Sequence, residues 1–339
     1  MRIAIVTDAW HPQINGVVRT LGHTGQHLQN LGHEVLFITP EKFLTYPCPT
    51  YPSIRLAVFP KKRVREMLHE FRPQAVHIST EGPLGHAARA LCLERSWPFT
   101  TSYHTQFPEY IRARFPIPIK WSYAYLRRYH SRAARTMVAT RSMQRLLEAR
   151  GFKKLEIWAR GVDTGIFQPG PKSFLSRPRP ISMYMGRVAV EKNIEAFLNL
   201  DVPGSKYVVG DGPDLERLRR QFSNVTFTGQ KLGHELTAHL AAADVFVFPS
   251  LTDTFGLVLL EAMACGVPVA AYPVTGPVDV VQNGKTGVLD QDLRQAVLGA
   301  LKLDPADCTA YARQHSWRHW TERFVSLLEP IKEDCWISA

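Results

Sequence analysis

Short apolar runs alternate with helical stretches along the first half of the chain. The runs that we expect to form buried strands are residues 3–7, 34–39, 75–78, 99–103, 136–139 and 155–157. Between them, segments such as 17–31 and 84–95 carry apolar residues at helical spacing. This alternation predicts an α/β domain of the Rossmann-like, doubly wound type with a mainly parallel sheet.

The pattern stops at residues 168–180, a stretch with four prolines and no periodicity, which predicts a linker. It then restarts, with expected strands at 181–185, 207–209, 225–228, 245–249 and 267–271. Residues 317–331 place apolar side chains three to four positions apart, as an amphipathic helix does. The sequence therefore predicts a first domain over 1–167, a linker over 168–180, a second domain over 181–316 and a terminal helical segment over 317–339.

Composition limits the class of protein. A chain of 339 residues with 45% hydrophobic content fits two folded domains. The five cysteines lie far apart and form no Cys-x-x-Cys pair, so neither a disulfide framework nor a zinc site is expected. The N-terminus lacks the pattern of a secretory signal, and no run of about 18 apolar residues occurs, so we expect a cytoplasmic protein.

Three loops of the second half follow expected strands, where open α/β sheets bind ligands. The first contains Gly186, Arg187 and Lys192, whose two cations suit a diphosphate, although two exposed surface cations would look the same. The second contains Gly210 and Gly212, which let backbone amides approach a phosphate or a base, although many such loops are only tight turns.

The third loop leads into an apolar helix and carries two acids eight positions apart, Asp253 and Glu261. Between them, the turn Phe255-Gly256-Leu257 opens the helix and directs its N–H groups toward a bound phosphate or sugar. Glu261 lies among apolar residues, so we expect it to be buried and to bind polar ligand groups. The alternative is an exposed helix capped by Asp253.

Two further motifs resemble ligand sites without fulfilling their requirements. The stretch 283–287 contains Gly-Lys-Thr, but a P-loop needs a glycine where Asp279 stands. The acids Asp290 and Asp292 resemble a metal-binding pair, yet they precede an expected helix, so we interpret them as a helix cap.

The first half offers polar residues after its own strands. Gly16 lies in an Asn-Gly turn before a helix, where a backbone can approach a donor or an acceptor. Glu81 follows the strand at 75–78, and Tyr103 and His104 stand at the end of the strand at 99–103. A lone histidine is more often structural, but His104 occupies the edge where ligands bind.

These motifs together resemble the retaining glycosyltransferases of family 4 over nearly the whole chain. The resemblance implies a GT-B fold, with two Rossmann-like domains facing a cleft and a C-terminal helix crossing back to the first. It implies that Glu261 binds the nucleotide ribose, Asp253 the donor hexose and His104 the same sugar. Family members have Glu where this chain has Asp253, which leaves the sugar open.

The same resemblance implies the chemistry of the donor. Arg187 and Lys192 would neutralise the departing diphosphate and act catalytically together with His104. The backbone of Phe255, Gly256 and Leu257 would also contact the donor, a UDP- or GDP-sugar. No metal and no other cofactor would be required.

A basic segment is the remaining feature of the first half. Residues 110–154 contain twelve Lys or Arg and one acid, Glu148, a net charge of +11 that equals the formal excess of the whole chain. Aromatic residues are interleaved with the cations, as on a surface that binds an anionic membrane. The residues expected at such a surface are Phe115, Ile117, Trp121, Arg127, Arg128 and Arg132. Alternatively, the stripe formed by Trp121, Tyr125 and Tyr129 is buried in the core.

Within family 4, the motifs TEGPLG, SYHTQFPEY, RGVDTGIF and DTFGLVLLE resemble the branch of sulfoquinovosyl-diacylglycerol synthases and related α-mannosyl and lipid glycosyltransferases. That branch implies a peripheral enzyme on the inner face of the membrane that transfers a hexose or uronic acid to a lipid such as diacylglycerol. The alternatives are a GDP-mannose-dependent mannosyltransferase and a nucleotide-sugar epimerase of the same fold. Nucleic acid is not expected as a partner, because it would leave Asp253 and Glu261 without a role.

Overall fold

The computed structural model describes residues 1–13, 15–48, 51–114 and 116–332. The chain divides into two compact units: unit 1 comprises Met1–Ala159 and the segment that starts at Trp317, and unit 2 is Arg160–Ser316. The proline-rich stretch 168–180 is thus part of unit 2 and not a linker between the units. It packs there through Lys172, which donates to the carbonyl of Ala243, and Arg179, which donates to the carbonyl of Ala242 at 3.0 Å.

Unit 1 is built on a parallel sheet with the strand order β2-β1-β5-β6-β7-β8, beside an antiparallel hairpin of β3 and β4. Its strands are β1 (Arg2–Val6), β2 (Glu34–Ile38), β3 (Thr45–Cys48), β4 (Tyr51–Ala57), β5 (Ala75–Ile78), β6 (Thr100–Tyr103), β7 (Arg135–Val138) and β8 (Leu155–Ile157). The helices up to residue 159 are α1 (Gly16–Asn30), α2 (Lys61–Phe71), α3 (Pro83–Glu94), α4 (Phe107–Arg114), α5 (Ile119–His130) and α6 (Arg141–Glu148).

Unit 2 repeats the architecture with the parallel strand order β11-β10-β9-β12-β13-β14. Its strands are β9 (Ile181–Met185), β10 (Ser205–Val209), β11 (Thr226–Gly229), β12 (Val245–Phe248), β13 (Val269–Ala271) and β14 (Gly287–Leu289). Its helices are α7 (Ile194–Leu198), α8 (Leu215–Gln221), α9 (Gly233–Ala242), α10 (Leu257–Ala264), α11 (Pro277–Val280), α12 (Leu293–Ala300) and α13 (Pro305–Ala312). Both predicted Rossmann-like domains are confirmed, and every expected strand is found within two residues of its predicted bounds.

The last helix, α14 (Trp317–Leu327), packs against α1 in unit 1. Its apolar side chains, among them Phe324 and Leu327, join a cluster that covers one face of the sheet. The indole N–H of Trp158 donates to the carbonyl of Trp320 at 3.0 Å. Helices α2 and α3 cover the opposite face of the same sheet, together with Tyr129 of α5.

Candidate functional site

The three candidate loops of unit 2 follow neighbouring strands. They come after β9, β10 and β12, and the sheet order places β9 between the other two. Because these strands are parallel, their carboxyl ends meet at one edge of the sheet. The structure therefore brings the predicted donor-binding loops together within unit 2.

Close backbone packing explains the glycines of the first two loops. A Cβ atom on Gly210 would lie 1.9 Å from the carbonyl oxygen of Gly186, and one on Gly212 would lie 2.2 Å from that of Val188. The amide of Gly186 donates to the carbonyl of Val209 at 3.0 Å, which ties the loops together. These glycines are needed for the fold of the edge itself, and a contact with the donor stays a prediction.

The two charged residues predicted to contact different parts of the donor contact each other. Lys192 Nζ lies 2.9 Å from Asp253 Oδ1 and 2.8 Å from Asp253 Oδ2, with the two side chains only 20% and 17% exposed. Asn193 Nδ2 donates to the carbonyl of Pro249 at 3.0 Å, which fixes the end of the first loop against the third. Lys192 and Asp253 thus form one ion-paired unit at the sheet edge.

Arg187 is half-buried in the same loop. The hydroxyl of Tyr184, the penultimate residue of β9, donates to the Arg187 carbonyl at 2.7 Å. This bond holds the backbone that carries the guanidinium. A guanidinium can form paired hydrogen bonds with phosphate oxygens, and the contact of Arg187 with a diphosphate stays a prediction.

The third loop leads directly into the helix α10. Gly256 is the N-cap residue of α10 with a φ of 82°, a left-handed conformation that favours glycine. Phe255 and Leu257 bury their side chains on either side of it, so that only their backbone is available to a ligand. Glu261, in the second turn of α10, is buried as the sequence predicted.

The acidic pair after β14 is a helix cap. Asp292 Oδ1 accepts from the amide of Arg294 at 2.9 Å at the N-terminus of α12, and Asp290 Oδ1 accepts from the amide of Asp292 at 2.8 Å. The interpretation of these acids as a cap is confirmed. Over the described ranges, no group of three or more His, Cys, Asp or Glu side chains is placed to hold a metal ion.

In unit 1, Gly16 is the first residue of α1. Asn15 caps this helix, with its Oδ1 accepting from the amides of Val17 and Val18 at 3.0 Å each. The predicted turn before a helix is present, and the N-terminus of α1 lies beyond the carboxyl end of β1.

A buried carboxylate, Asp8, organises the loop that carries Glu81. Asp8 Oδ1 accepts from the amide of Leu84 at 2.9 Å, and its Oδ2 accepts from the hydroxyl of Thr80 at 2.8 Å. Burial raises the pKa of Asp8, and the hydrogen bonds from Leu84 and Thr80 oppose that rise.

Glu81 is held by a histidine that sequence reasoning missed. His130 Nε2 lies 3.1 Å from Glu81 Oε1, and His130 Nδ1 lies 2.9 Å from the hydroxyl of Thr101. The imidazole of His130 therefore bridges the side chains of Glu81 and Thr101. The signal in the sequence was the position of His130 on the buried face of α5, seven residues after Tyr123.

His104 and Tyr103, which are adjacent in sequence, have different environments. The ring of His104 lies edge-on to Trp158, with 5.8 Å between centroids, just beyond the end of β6. Tyr103 is fully buried and packs edge-on against Phe152. The side chain of Tyr103, which the sequence groups with Glu81 and His104 on the acceptor side or in the cleft, lies in the core of unit 1, and its contact with an acceptor stays a prediction.

The aromatic stripe of α5 is divided between surface and core. Trp121 is 64% exposed and Tyr125 is also exposed, whereas Tyr129 is 3% exposed and packs in the core. Of the predicted surface residues, Ile117, Arg127, Arg128 and Arg132 are exposed, while Phe115 lies outside the described residues. In the part of the chain that the structure describes, no helix has the length and apolar character needed to cross a membrane.

Comparison with protein families matches both units. Residues 14–165 match the family described as Glycosyltransferase Family 4, and residues 179–302 match Glycosyl transferases group 1. The three candidate loops of unit 2 lie within residues 179–302, which match Glycosyl transferases group 1. Glu81 and His104 lie within residues 14–165, which match Glycosyltransferase Family 4.

Characterised relatives cover most of the chain. A GDP-mannose-dependent alpha-mannosyltransferase of Mycobacterium tuberculosis is 31% identical over 85% of this chain and 83% of its own length. The sulfoquinovosyl transferase SQD2 of Arabidopsis thaliana is 33% identical over 78% of this chain and 58% of its own. An alpha-monoglucosyldiacylglycerol synthase of Streptococcus pneumoniae is 26% identical over 90% of this chain and 79% of its own.

Among solved structures, a sucrose-phosphate synthase from Thermosynechococcus elongatus shares the fold, with a TM-score of 0.77 at 21% identity over 96% of this chain and 98% of its own. The two parallel-sheet units are those of the GT-B fold. The chain therefore belongs to glycosyltransferase family 4, and it is an enzyme that transfers a hexose from a nucleotide-sugar.

Proposed function

We propose that this glycosyltransferase is a retaining enzyme that transfers a hexose or uronic acid to a membrane lipid such as diacylglycerol. The observation that carries the proposal is an exposed surface formed by α5 and the residues just before it, where Ile117, Trp121 and Tyr125 accompany Arg127 and Arg128. Aromatic side chains at the lipid headgroups and cations near anionic lipids are the features of a peripheral membrane surface. The likeness to an alpha-monoglucosyldiacylglycerol synthase supports the same acceptor class.

The donor would bind at the carboxyl edge of the sheet in unit 2. Arg187, Lys192 and the N-terminus of α10 would stabilise the negative charge that develops on the departing diphosphate, which is the main catalytic effect in this proposal. Glu261 would accept from the ribose hydroxyls, and Asp253 from the hexose. These cations would perform the task of a metal ion, so the proposed reaction proceeds without one.

The transfer itself breaks the bond between the anomeric carbon and the diphosphate oxygen and forms a bond to the acceptor oxygen. In a front-face reaction, the departing phosphate takes the proton of the acceptor hydroxyl, and the configuration is retained. His104 would position the sugar, and Glu81, held by His130, would accept a hydrogen bond from the acceptor.

The test is transfer from UDP-, GDP- and ADP-sugars to diacylglycerol in vesicles, with and without EDTA. We expect a glycolipid product whose anomeric configuration, read by proton NMR, matches that of the donor, and no effect of EDTA. Arg187→Ala should lower kcat/KM by about 100-fold or more with little change in folding. An inverted product, or near-normal turnover by that variant, would contradict the mechanism.

A GDP-mannose-dependent α-mannosyltransferase is the second candidate, favoured by the coverage of the mycobacterial relative. The same assay separates the two, because it compares GDP-mannose with UDP-sugars at equal concentration. A ligand at about 100 times its Kd adds about 2.7 kcal/mol to the stability of the protein, so a thermal shift identifies the nucleotide before an acceptor is known.

A further inference from the structure

The loop between β5 and α3 carries Glu81 and is fixed on both sides of that residue. On one side, the hydroxyl of Thr80 donates to Asp8 Oδ2 at 2.8 Å. On the other side, the amide of Leu84 donates to Asp8 Oδ1 at 2.9 Å. A Cβ atom on Gly82 would lie 2.4 Å from Asp8 Cγ, so this close approach requires glycine. The backbone on both sides of Glu81 is therefore tied to one buried carboxylate.

The end of α5 holds the same loop through two consecutive residues. The hydroxyl of Tyr129 donates to the carbonyl of Thr80 at 3.2 Å. His130 Nε2 lies 3.1 Å from Glu81 Oε1, and the side chain of His130 is 2% exposed. Arg89 of α3 donates to the carbonyl of Tyr129 at 2.9 Å, which fixes the end of α5 in turn. The last turn of α5 thus contacts both the backbone of this loop and the side chain of Glu81.

The imidazole of His130 is also held on its other side. Its Nδ1 lies 2.9 Å from the hydroxyl of Thr101, and that hydroxyl lies 3.0 Å from the hydroxyl of Thr136. A threonine hydroxyl can both donate and accept, so Thr101 can bond to either tautomer of the ring. The orientation of the ring is therefore fixed by β6 and β7, the strands that carry the two threonines.

The second carboxyl oxygen of Glu81 is left for a ligand. Among the residues that the structure describes, Oε2 has no hydrogen-bond partner, and the side chain is 25% exposed. Both oxygens of a carboxylate accept hydrogen bonds, so Oε2 can accept from a hydroxyl while Oε1 stays bonded to His130. A glutamate that is already held loses less rotamer freedom when it binds a ligand than an unrestrained one does.

We propose that His130 is a positioning residue of the transfer reaction, which acts through Glu81 and holds its carboxyl group in the orientation that binds the acceptor hydroxyl. The inference rests on the proposed function, because it requires that Glu81 binds the acceptor. It extends that function by naming a buried residue that sets the affinity for the acceptor and not for the donor. The cations proposed to bind the donor, Arg187 and Lys192, belong to unit 2.

The experiment is steady-state kinetics of the full chain with a water-soluble, short-chain diacylglycerol as the acceptor. His130→Phe keeps a ring of similar size and removes both hydrogen bonds. We expect the KM for the acceptor to rise about tenfold or more, while kcat and the KM for the nucleotide-sugar stay within about twofold. His130→Gln retains an N–H donor that can reach Glu81, so it should recover most of the loss.

A double-mutant cycle tests whether His130 acts through Glu81. Glu81→Ala should raise the KM for the acceptor at least as much as His130→Phe does. When Glu81 is already alanine, His130→Phe should cause no further rise, because the group that it positions is absent. Thr101→Val removes the hydroxyl that holds Nδ1 and should raise the same KM about threefold. If His130→Phe does not fold, Thr101→Val with and without Glu81→Ala answers the same question.

His77 provides the matched control, because it is another fully buried histidine of unit 1. Its ring nitrogens each lie 2.9 Å from a hydroxyl on β6, that of Thr100 or that of Ser102. His77→Phe therefore makes the same chemical change at a ring that bonds to β6 and not to Glu81. It should lower the melting temperature, as His130→Phe does, but it should leave the KM for the acceptor unchanged.

The outcomes separate this inference from the proposed function. If Glu81→Ala changes nothing, if the effects of Glu81→Ala and His130→Phe add, or if His77→Phe raises the acceptor KM as much as His130→Phe, the positioning role is refuted and the lipid transferase stands. If the wild-type chain forms no product with the diacylglycerol, both are refuted. A rise in acceptor KM that glutamine reverses, that disappears when Glu81 is alanine and that His77→Phe does not reproduce establishes the positioning role.

Discussion

At the scale of single residues, Lys192 and Asp253 form an ion pair with each other. The family resemblance assigns them to different parts of the donor, Lys192 to the diphosphate and Asp253 to the hexose. Asp253→Asn leaves the ammonium of Lys192 without its partner and removes the carboxylate proposed to bind the hexose. We expect kcat/KM to fall about 100-fold or more. Because the pair is only partly buried, the free energy of unfolding should fall by about 1 kcal/mol.

A surface ion pair of the same unit provides the control for that variant. Lys231, which follows β11, pairs with Glu235 in the first turn of α9 on the surface, so Glu235→Gln should change neither activity nor melting appreciably. Asp253→Glu keeps the negative charge and should be more active than Asp253→Asn. Steady-state kinetics with equal activity in all three variants would remove Asp253 from the site.

The cysteines give a second prediction at this scale. Burial raises the pKa of Cys92, Cys265 and Cys308 to about 12. Since only the thiolate reacts, these thiols should resist alkylation of the native protein at about pH 8, whereas the partly exposed Cys48 should be modified. Reactivity at the three buried sites should rise only as the pH approaches 12 or the protein unfolds. Peptide mass spectrometry after iodoacetamide treatment distinguishes the sites, and early labelling of Cys265 would contradict its burial.

At the scale of secondary-structure elements, strands with strong apolar patterns were predictable and weakly patterned ones were not. The hairpin of β3 and β4 escaped prediction because β3 is short, partly exposed and contains Pro47. The stripe on α5 was ambiguous for a geometric reason: eight residues turn a helix through about 80° more than two full turns. Tyr129 is therefore rotated away from Trp121 and reaches the core.

The candidate site could be predicted from the sequence only in part. Its loops could be placed because they follow patterned strands, and the burial of Glu261 followed from its apolar neighbours. The pairing of Lys192 with Asp253 spans 61 residues and that of His130 with Glu81 spans 49, so both depend on the tertiary fold. Local patterns carry no information about such contacts, and hence His130 was missed.

The packing of the first two loops of unit 2 gives a prediction for these elements. Gly210→Ala would place a Cβ atom 1.9 Å from the carbonyl of Gly186, at a φ of 148°, so we expect a loss of about 2–4 kcal/mol of stability. Gly22→Ala is the control, because Gly22 lies inside α1 with no atom within 4 Å of the added Cβ. That change should stabilise the chain by about 0.5–1 kcal/mol. Denaturant unfolding measures both, and equal stability of the two variants would contradict the packing.

At the scale of the whole molecule, the terminal helix α14 completes the core of unit 1 although it follows unit 2 in sequence. Phe324 is fully buried, and its ring lies 4.8 Å from that of Trp158 and 4.9 Å from that of His77. Phe324→Ala removes this packing and should destabilise unit 1 by about 3–5 kcal/mol.

The loss of stability caused by Phe324→Ala should be confined to unit 1. Hydrogen exchange followed by mass spectrometry should show faster exchange in β1 and β5, which form the sheet beneath α14, and unchanged exchange in β9 and β12 of unit 2. Arg318→Ala on the exposed face of α14 is the control and should leave both units unchanged, since its ion pair with Glu322 lies on the surface. Uniform acceleration across both sheets would show that the units unfold together, and the stability of unit 1 could not then be assigned to this helix.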